Sequence, residues 1–184
     1  MHFEISKEEK TLLLSLNSGI SKVKIYKGGS YPSVVSFILK NGKTVTICIK
    51  EEYVAHWFEV FPISISEDNL SVSPEIVLDG ADFSPEVGLN ILSKAEWTVP
   101  ANAEEKTKMI GETEGAMVQS EGLASEIPSN ANNQATLHAG IEINKKSGIP
   151  FIVASSISPY TLYVSDCNFY EPFDERIYDR VQVC

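Results

Sequence analysis

Val35-Ser36-Phe37-Ile38-Leu39-Lys40-Asn41-Gly42-Lys43-Thr44-Val45-Thr46-Ile47-Cys48-Ile49 reads as strand, tight turn, strand. Asn41-Gly42 between two β-branched runs is the strongest short-range hairpin signal a sequence offers. About a hundred residues later the pattern returns. Gly140-Ile141-Glu142-Ile143-Asn144-Lys145-Lys146-Ser147-Gly148-Ile149-Pro150-Phe151-Ile152-Val153-Ala154 has the same strand, polar turn and strand. Each hairpin is followed by a proline and a third short strand ending in an acid, Pro62-Ile63-Ser64-Ile65-Ser66-Glu67 and Pro159-Tyr160-Thr161-Leu162-Tyr163-Val164-Ser165-Asp166. The echo predicts an α+β fold, rich in β, with antiparallel sheet built from two similar hairpin-plus-strand units.

The flanks supply helices. Ser6 and Glu9 have capping-box spacing, Leu12, Leu13 and Leu16 share one helical face, and Gly19 offers a stop, so an N-terminal helix is expected. At the other end Phe173, Ile177 and Val181 recur every four residues, which predicts a closing C-terminal helix. Between the flanks, Ile76 to Leu78 reads as a brief strand and Leu89 to Thr98 as a longer one, with Trp97 in or near the core. From Val99 to Gln134 aromatics vanish and Gly, Ser, Asn, Ala, Glu and Thr dominate. That composition predicts a long polar mobile loop. The chain of 184 residues is therefore read as a single domain over 1–184, with one β-unit in 1–98, the loop in 99–134 and the second unit in 135–184.

Charge is unevenly placed. Met1 to Lys50 holds eight basic and three acidic residues. Glu51 to Ser93 holds nine acids and no Lys or Arg: Glu51, Glu52, Glu59, Glu67, Asp68, Glu75, Asp79, Asp82 and Glu86. The whole chain carries a formal charge of −10, which opposes a nucleic-acid-binding surface. No apolar run approaches membrane-span length, and the N-terminus lacks the basic flank and apolar core of a secretion signal, so a cytoplasmic protein without a membrane partner is expected. Cys48, Cys167 and Cys184 are too few and too scattered for a disulfide framework or a zinc site. Pairing of Cys167 with Cys184 stays open.

Catalytic signatures are missing. Gly28-Gly29 follows a strand but lacks the third glycine or the Lys-Ser/Thr pair of a phosphate loop. His56 sits among aromatics and His138 opens the second unit; neither has a motif partner. Asp79, Asp82, Ser84 and Glu86 bring four oxygen-bearing side chains together around Gly80, yet their spacing is not that of an EF-hand loop, and an acidic turn is the simpler reading. No catalytic residue, cofactor or metal is assigned, and the chain is expected not to be an enzyme.

A one-signed stretch steers a cationic partner if its side chains share a face. The expectation is thus a non-catalytic acidic binding protein that occludes a basic partner, as immunity proteins do to bacterial toxins. The contact residues expected are Glu67, Asp68, Glu75, Asp79, Asp82 and Glu86, with Tyr53 or Trp57 as aromatic anchor. The alternatives are a small enzyme whose site assembles from distant segments, and a subunit that self-associates through open strand edges into a homodimer. The plain reading of the acidic block is a solvated surface that keeps the protein soluble.

Overall fold

The computed structural model describes residues 2–55, 58–97, 134–156, 160–167 and 173–183. Trp57, His56, Cys184 and residues 99–133 of the expected loop lie outside them. Within the described residues the chain is α+β with mostly antiparallel sheet. The first sheet contains β2 (Ile20–Gly28), β3 (Tyr31–Leu39), β4 (Thr44–Ile49), β7 (Ile63–Ser66) and β8 (Ile76–Asp79), in the order β7-β4-β3-β2-β8. A two-stranded hairpin of β5 (Glu52–Ala55) and β6 (Phe58–Val60) interrupts the path from β4 to β7. The second sheet contains β9 (Leu89–Trp97), β10 (Gln134–Ile143), β11 (Phe151–Ser155), β12 (Leu162–Val164) and β13 (Asp179–Gln182), in the order β12-β11-β10-β9-β13. The short β1 (His2–Phe3) adds to β10 in parallel.

Alternation explains the packing. Val35, Phe37, Val45, Ile47, Ile63 and Ile65 point from the first sheet into one shared core with Ile91, Ile141, Ile143, Phe151 and Val153 from the second. Phe37 and Phe151 meet edge to face with centroids 6.1 Å apart, and Phe83 packs on Phe151 at 5.1 Å. Burial of each such ring is worth about 2–3 kcal/mol. Strand β12 lies against β3, and β7 against β10.

The β3–β4 hairpin forms where Asn41-Gly42 placed it. Only Gly42 has positive φ there, at 86°, and Leu39 N–H donates to Lys43 O at 2.8 Å. This is a three-residue loop with a glycine in the left-handed position, in which the Asn41 carboxamide oxygen accepts from Lys43 N–H at 3.0 Å. On β10 a bulge between His138 and Gly140 reverses the facing of the strand. Ile141 and Ile143 enter the inter-sheet core, whereas Ala135 and Leu137 join a second apolar cluster with Leu92, Ile152 and Ala154. Gly140 sits where a Cβ would fall 2.5 Å from Val153 O, so only glycine lets β10 and β11 approach.

The N-terminal helix α1 (Lys7–Leu14) is present, followed by a 3₁₀ turn over Ser15–Ser18. Ser6 Oγ accepts from Glu9 N–H at 3.1 Å, and Glu9 Oε2 accepts from Ser6 N–H at 2.7 Å. The other carboxylate oxygen of Glu9 accepts from Ile65 N–H at 2.9 Å and from the Ser64 hydroxyl at 3.3 Å. One side chain thus caps the helix and covers the outward N–H of edge strand β7. Leu13 and Leu16 are fully buried.

The expected C-terminal helix does not form. Residues Glu175–Ile177 make one 3₁₀ turn, with Asp174 accepting from Arg176 N–H at 3.1 Å, and Asp179–Gln182 run antiparallel to β9. The spacing of Phe173, Ile177 and Val181 does not describe a buried face, since Ile177 and Val181 are exposed. A short isolated helix is costly to nucleate, and the open edge of β9 offers the segment a full ladder of hydrogen bonds instead.

Candidate partner-binding surface

The acidic block disperses over the first sheet and meets the lysines of the first fifty residues. Glu67 follows β7 and pairs with Lys43 at 3.3 Å; Glu75 precedes β8 and pairs with Lys27 at 3.3 Å. Glu52 pairs with Lys50 at 3.1 Å, and Glu51 accepts from the Tyr160 hydroxyl. Asp68 keeps an exposed side chain while its carbonyl accepts from the Thr46 hydroxyl at 2.6 Å. Tyr53 lies in β5.

Edge strands β7 and β8 stand on opposite sides of a five-stranded sheet, roughly 19 Å apart at ordinary strand spacing. Glu67 and Asp79 are therefore not neighbours. Asp79 ends β8 directly opposite Lys22 of β2.

Asp79, Asp82 and Glu86 do come together on one structure, a pair of turns that lean on each other where the chain passes from the first sheet to the second. Asp79 Oδ1 accepts from Ala81 N–H at 2.8 Å and folds the first turn. Asp82 clasps the facing turn: its carboxylate accepts from Ser147 N–H at 3.1 Å and from the Ser147 hydroxyl at 2.9 Å. Its carbonyl accepts from Lys146 N–H at 2.8 Å, and Lys146 Nζ reaches Ala81 O at 2.7 Å. Ser84 N–H donates to Asn144 O at 2.9 Å, and Asn144 N–H to Gly88 O at 2.8 Å. Beneath, Phe83 and Lys145 form an isolated bridge, and Lys145 is tied to Asp166 at 2.9 Å.

This hydrogen-bonded tip holds two aliphatic side chains in solvent, Val87 at 72% and Ile149 at 69% exposure. Glu86 is exposed and has no polar partner among the described residues. Sequence reasoning missed Val87 and Ile149. Their signal was local: each stands singly among turn formers, in Pro85-Glu86-Val87-Gly88 and Gly148-Ile149-Pro150, where a strand or helix cannot bury it. A hydrogen-bonded backbone thus carries exposed aliphatic side chains beside carboxylates.

Three groups able to do chemistry, His138, Cys48 and Cys167, lie among the described residues away from this tip. His138 lies opposite Ser93 on β9, and both are buried. Its Nδ1 accepts from Ile5 N–H at 3.1 Å, which places the ring proton on Nε2. In that tautomer Nε2 cannot take a proton from the serine. Burial pushes the Cys48 thiol up, with Asp68 and Glu9 adding to the shift. Burial also pushes Cys167, a free thiol, up to about 11, with Asp166 contributing. Neither thiol is activated as a nucleophile. Among the described residues no group of three His, Cys, Asp or Glu side chains converges to hold a metal ion, and no helix is long and apolar enough to cross a membrane.

No protein-family model matches the chain, no curated protein matches it in sequence, and no solved structure matches its fold.

Proposed function

We propose that this chain is a non-catalytic acidic binding protein of the cytoplasm that occludes a basic protein partner, an immunity protein against a bacterial toxin being the type. The observation that supports the reading is the tip formed by residues 79–88 and 144–150. There Val87 and Ile149 stand exposed on a clasped backbone beside Asp79, Asp82 and Glu86. Aliphatic contact supplies the dry centre and the carboxylates the steering rim. The contact set narrows accordingly: Glu67 and Glu75 are engaged by Lys43 and Lys27, so their charge is largely answered within the chain.

The test is calorimetric binding to the purified basic partner at two salt concentrations. Glu86→Lys combined with Val87→Asp is expected to weaken binding by about a hundredfold and to lower its salt dependence. Glu67→Lys and Glu75→Lys are expected to change affinity by less than about threefold. Equal affinity of the tip variant and the unmodified chain would overturn the reading.

We also read the two sheets as two copies of one unit. In each, four strands taken in chain order form a meander, and the fifth returns beside the first. The contacts of β12 with β3 and of β7 with β10 are the same contact under exchange of the halves. The hairpins that echo in sequence, 35–49 and 140–154, are β3–β4 and β10–β11. Related chains aligned strand for strand should show the two halves more alike than here; halves that diverge further in every relative would make the likeness a coincidence of topology.

A further inference from the structure

The N-terminal strap, β1 through α1, is fastened to both sheets by side chains that titrate. At its start, His2 and Phe3 pair with Thr136 and Leu137 of β10, and this ladder is only two residues long. It is extended by one bond of unusual kind: Ile5 N–H donates to the imidazole Nδ1 of His138, where the next backbone acceptor would stand in an unbroken strand. The ladder's register shifts directly after His138, between it and Gly140. At its far end the strap is held by Glu9 on Ile65 N–H and Ser64. On this side of β10 the strand β11 covers only Gly140 to Ile143, so β1 is what pairs Thr136 and Leu137.

We propose that His138 is an acid-sensitive latch, whose protonation frees residues 2–5 from the edge of β10 while α1 stays docked on β7. A proton on Nδ1 converts the acceptor of Ile5 N–H into a second donor, and two donors then face each other in a site where His138 is 6% exposed. The charged groups facing the ring are Glu4, Glu9 and Lys10 of the strap. Across the sheet its row continues through Ser93 of β9 to Asp179 of β13. Burial pulls the ring below the ordinary imidazole range; Glu4 and Glu9 oppose that and Lys10 supports it. A depressed value means that the latch contributes fully above the unfolded value, about 6.5, and is lost as pH falls through the folded one. Glu9 is still a carboxylate at about pH 5: burial raises it, but the N–H groups of Ser6 and Ile65 outweigh that and hold it below its ordinary value of 4.5. At that pH the helix end of the strap stays fastened to β7.

The experiment is amide hydrogen exchange on the full chain, corrected for intrinsic rates, at about pH 7 and about pH 5. Exchange of residues 2–5 is expected to rise about tenfold or more relative to residues 8–14 on acidification. His138→Asn keeps an acceptor near the position of Nδ1 and has no proton to gain, so its strap should show no such rise; His2→Gln should behave as the unmodified chain. An equal acid response in His138→Asn, or none in the unmodified chain, overturns the proposal. NMR titration of the unmodified chain reads the same point without a variant: the Ile5 amide and the His138 ring must move with one midpoint, and separate midpoints overturn the latch.

Discussion

Two connections in this molecule solve the same problem in different chemistry. Residues 67–75 carry the chain from edge strand β7 to edge strand β8 of the first sheet, and residues 173–178 lead into edge strand β13 of the second. Over the first sheet the connection rests on hydroxyls. Ser36 and Thr46 are buried, bonded to each other at 2.8 Å, and Thr46 donates onward to Asp68 O. The ends of this crossing are fixed by the exposed pairs Lys43–Glu67 and Lys27–Glu75. On the second sheet the described residues 173–178 rest on rings. Phe173 lies between Tyr163 and Tyr178, stacked at 4.4 and 5.0 Å. Beside them Glu142, with a side chain 7% exposed, accepts from Arg180 Nε at 2.9 Å and from Asn90 at 3.0 Å. A polar crossing leaves Val72 in solvent, whereas the aromatic one buries Tyr178. Similar strand order does not dictate how a sheet's outer face is covered; the side chains beneath the crossing do.

Substitutions can break that contrast. The largest effect is expected from Arg180→Ala, which strands the Glu142 carboxylate with Asn90 alone and should cost about 3 kcal/mol in urea unfolding. Phe173→Ala removes the middle ring of the stack and should cost about 2 kcal/mol, less than a fully buried ring because Phe173 is only partly covered. Thr46→Val keeps the shape under the other crossing and removes its hydroxyl, leaving Asp68 O and Ser36 without that partner. About 1 kcal/mol is expected, with faster hydrogen exchange confined to residues 67–75. Acid should weaken the β7 edge: the contribution of the depressed Glu9 carboxyl is present above its ordinary value of 4.5 and lost as pH falls through the folded one. Glu9→Gln should flatten that part of the pH–stability curve. Lys27→Ala and Lys43→Ala should each change stability by less than about 0.5 kcal/mol, because both pairs are solvent-exposed. A large loss there with a small loss at Arg180 would invert the comparison.

The legible parts of the sequence were those whose cause is local. Asn41-Gly42 made its hairpin because a glycine at positive φ closes a short loop. Ser6 and Glu9 made their helix start because both bonds of a capping box lie within one turn. The C-terminal segment was misread for the opposite reason. Its spacing of four fits a helix face, but its partner is the edge of β9, some ninety positions away. The tip was half legible: Asp79, Asp82 and Glu86 stand close in sequence and remain close. Ser147, which Asp82 clasps, lies 65 residues from it, and no local pattern pairs them.

Alternating apolar residues, turn formers and capping residues by themselves determined that this chain makes hairpins and opens with a helix, since those preferences act over a few bonds. Only the tertiary structure decided that the acidic middle third would be interleaved with the lysines of the first fifty residues. Charge follows composition, but its sharing on a surface follows strand order. Pairing β2 with β8 and β4 with β7 brought Lys27 to Glu75 and Asp79 opposite Lys22, and placed Lys43 within reach of Glu67.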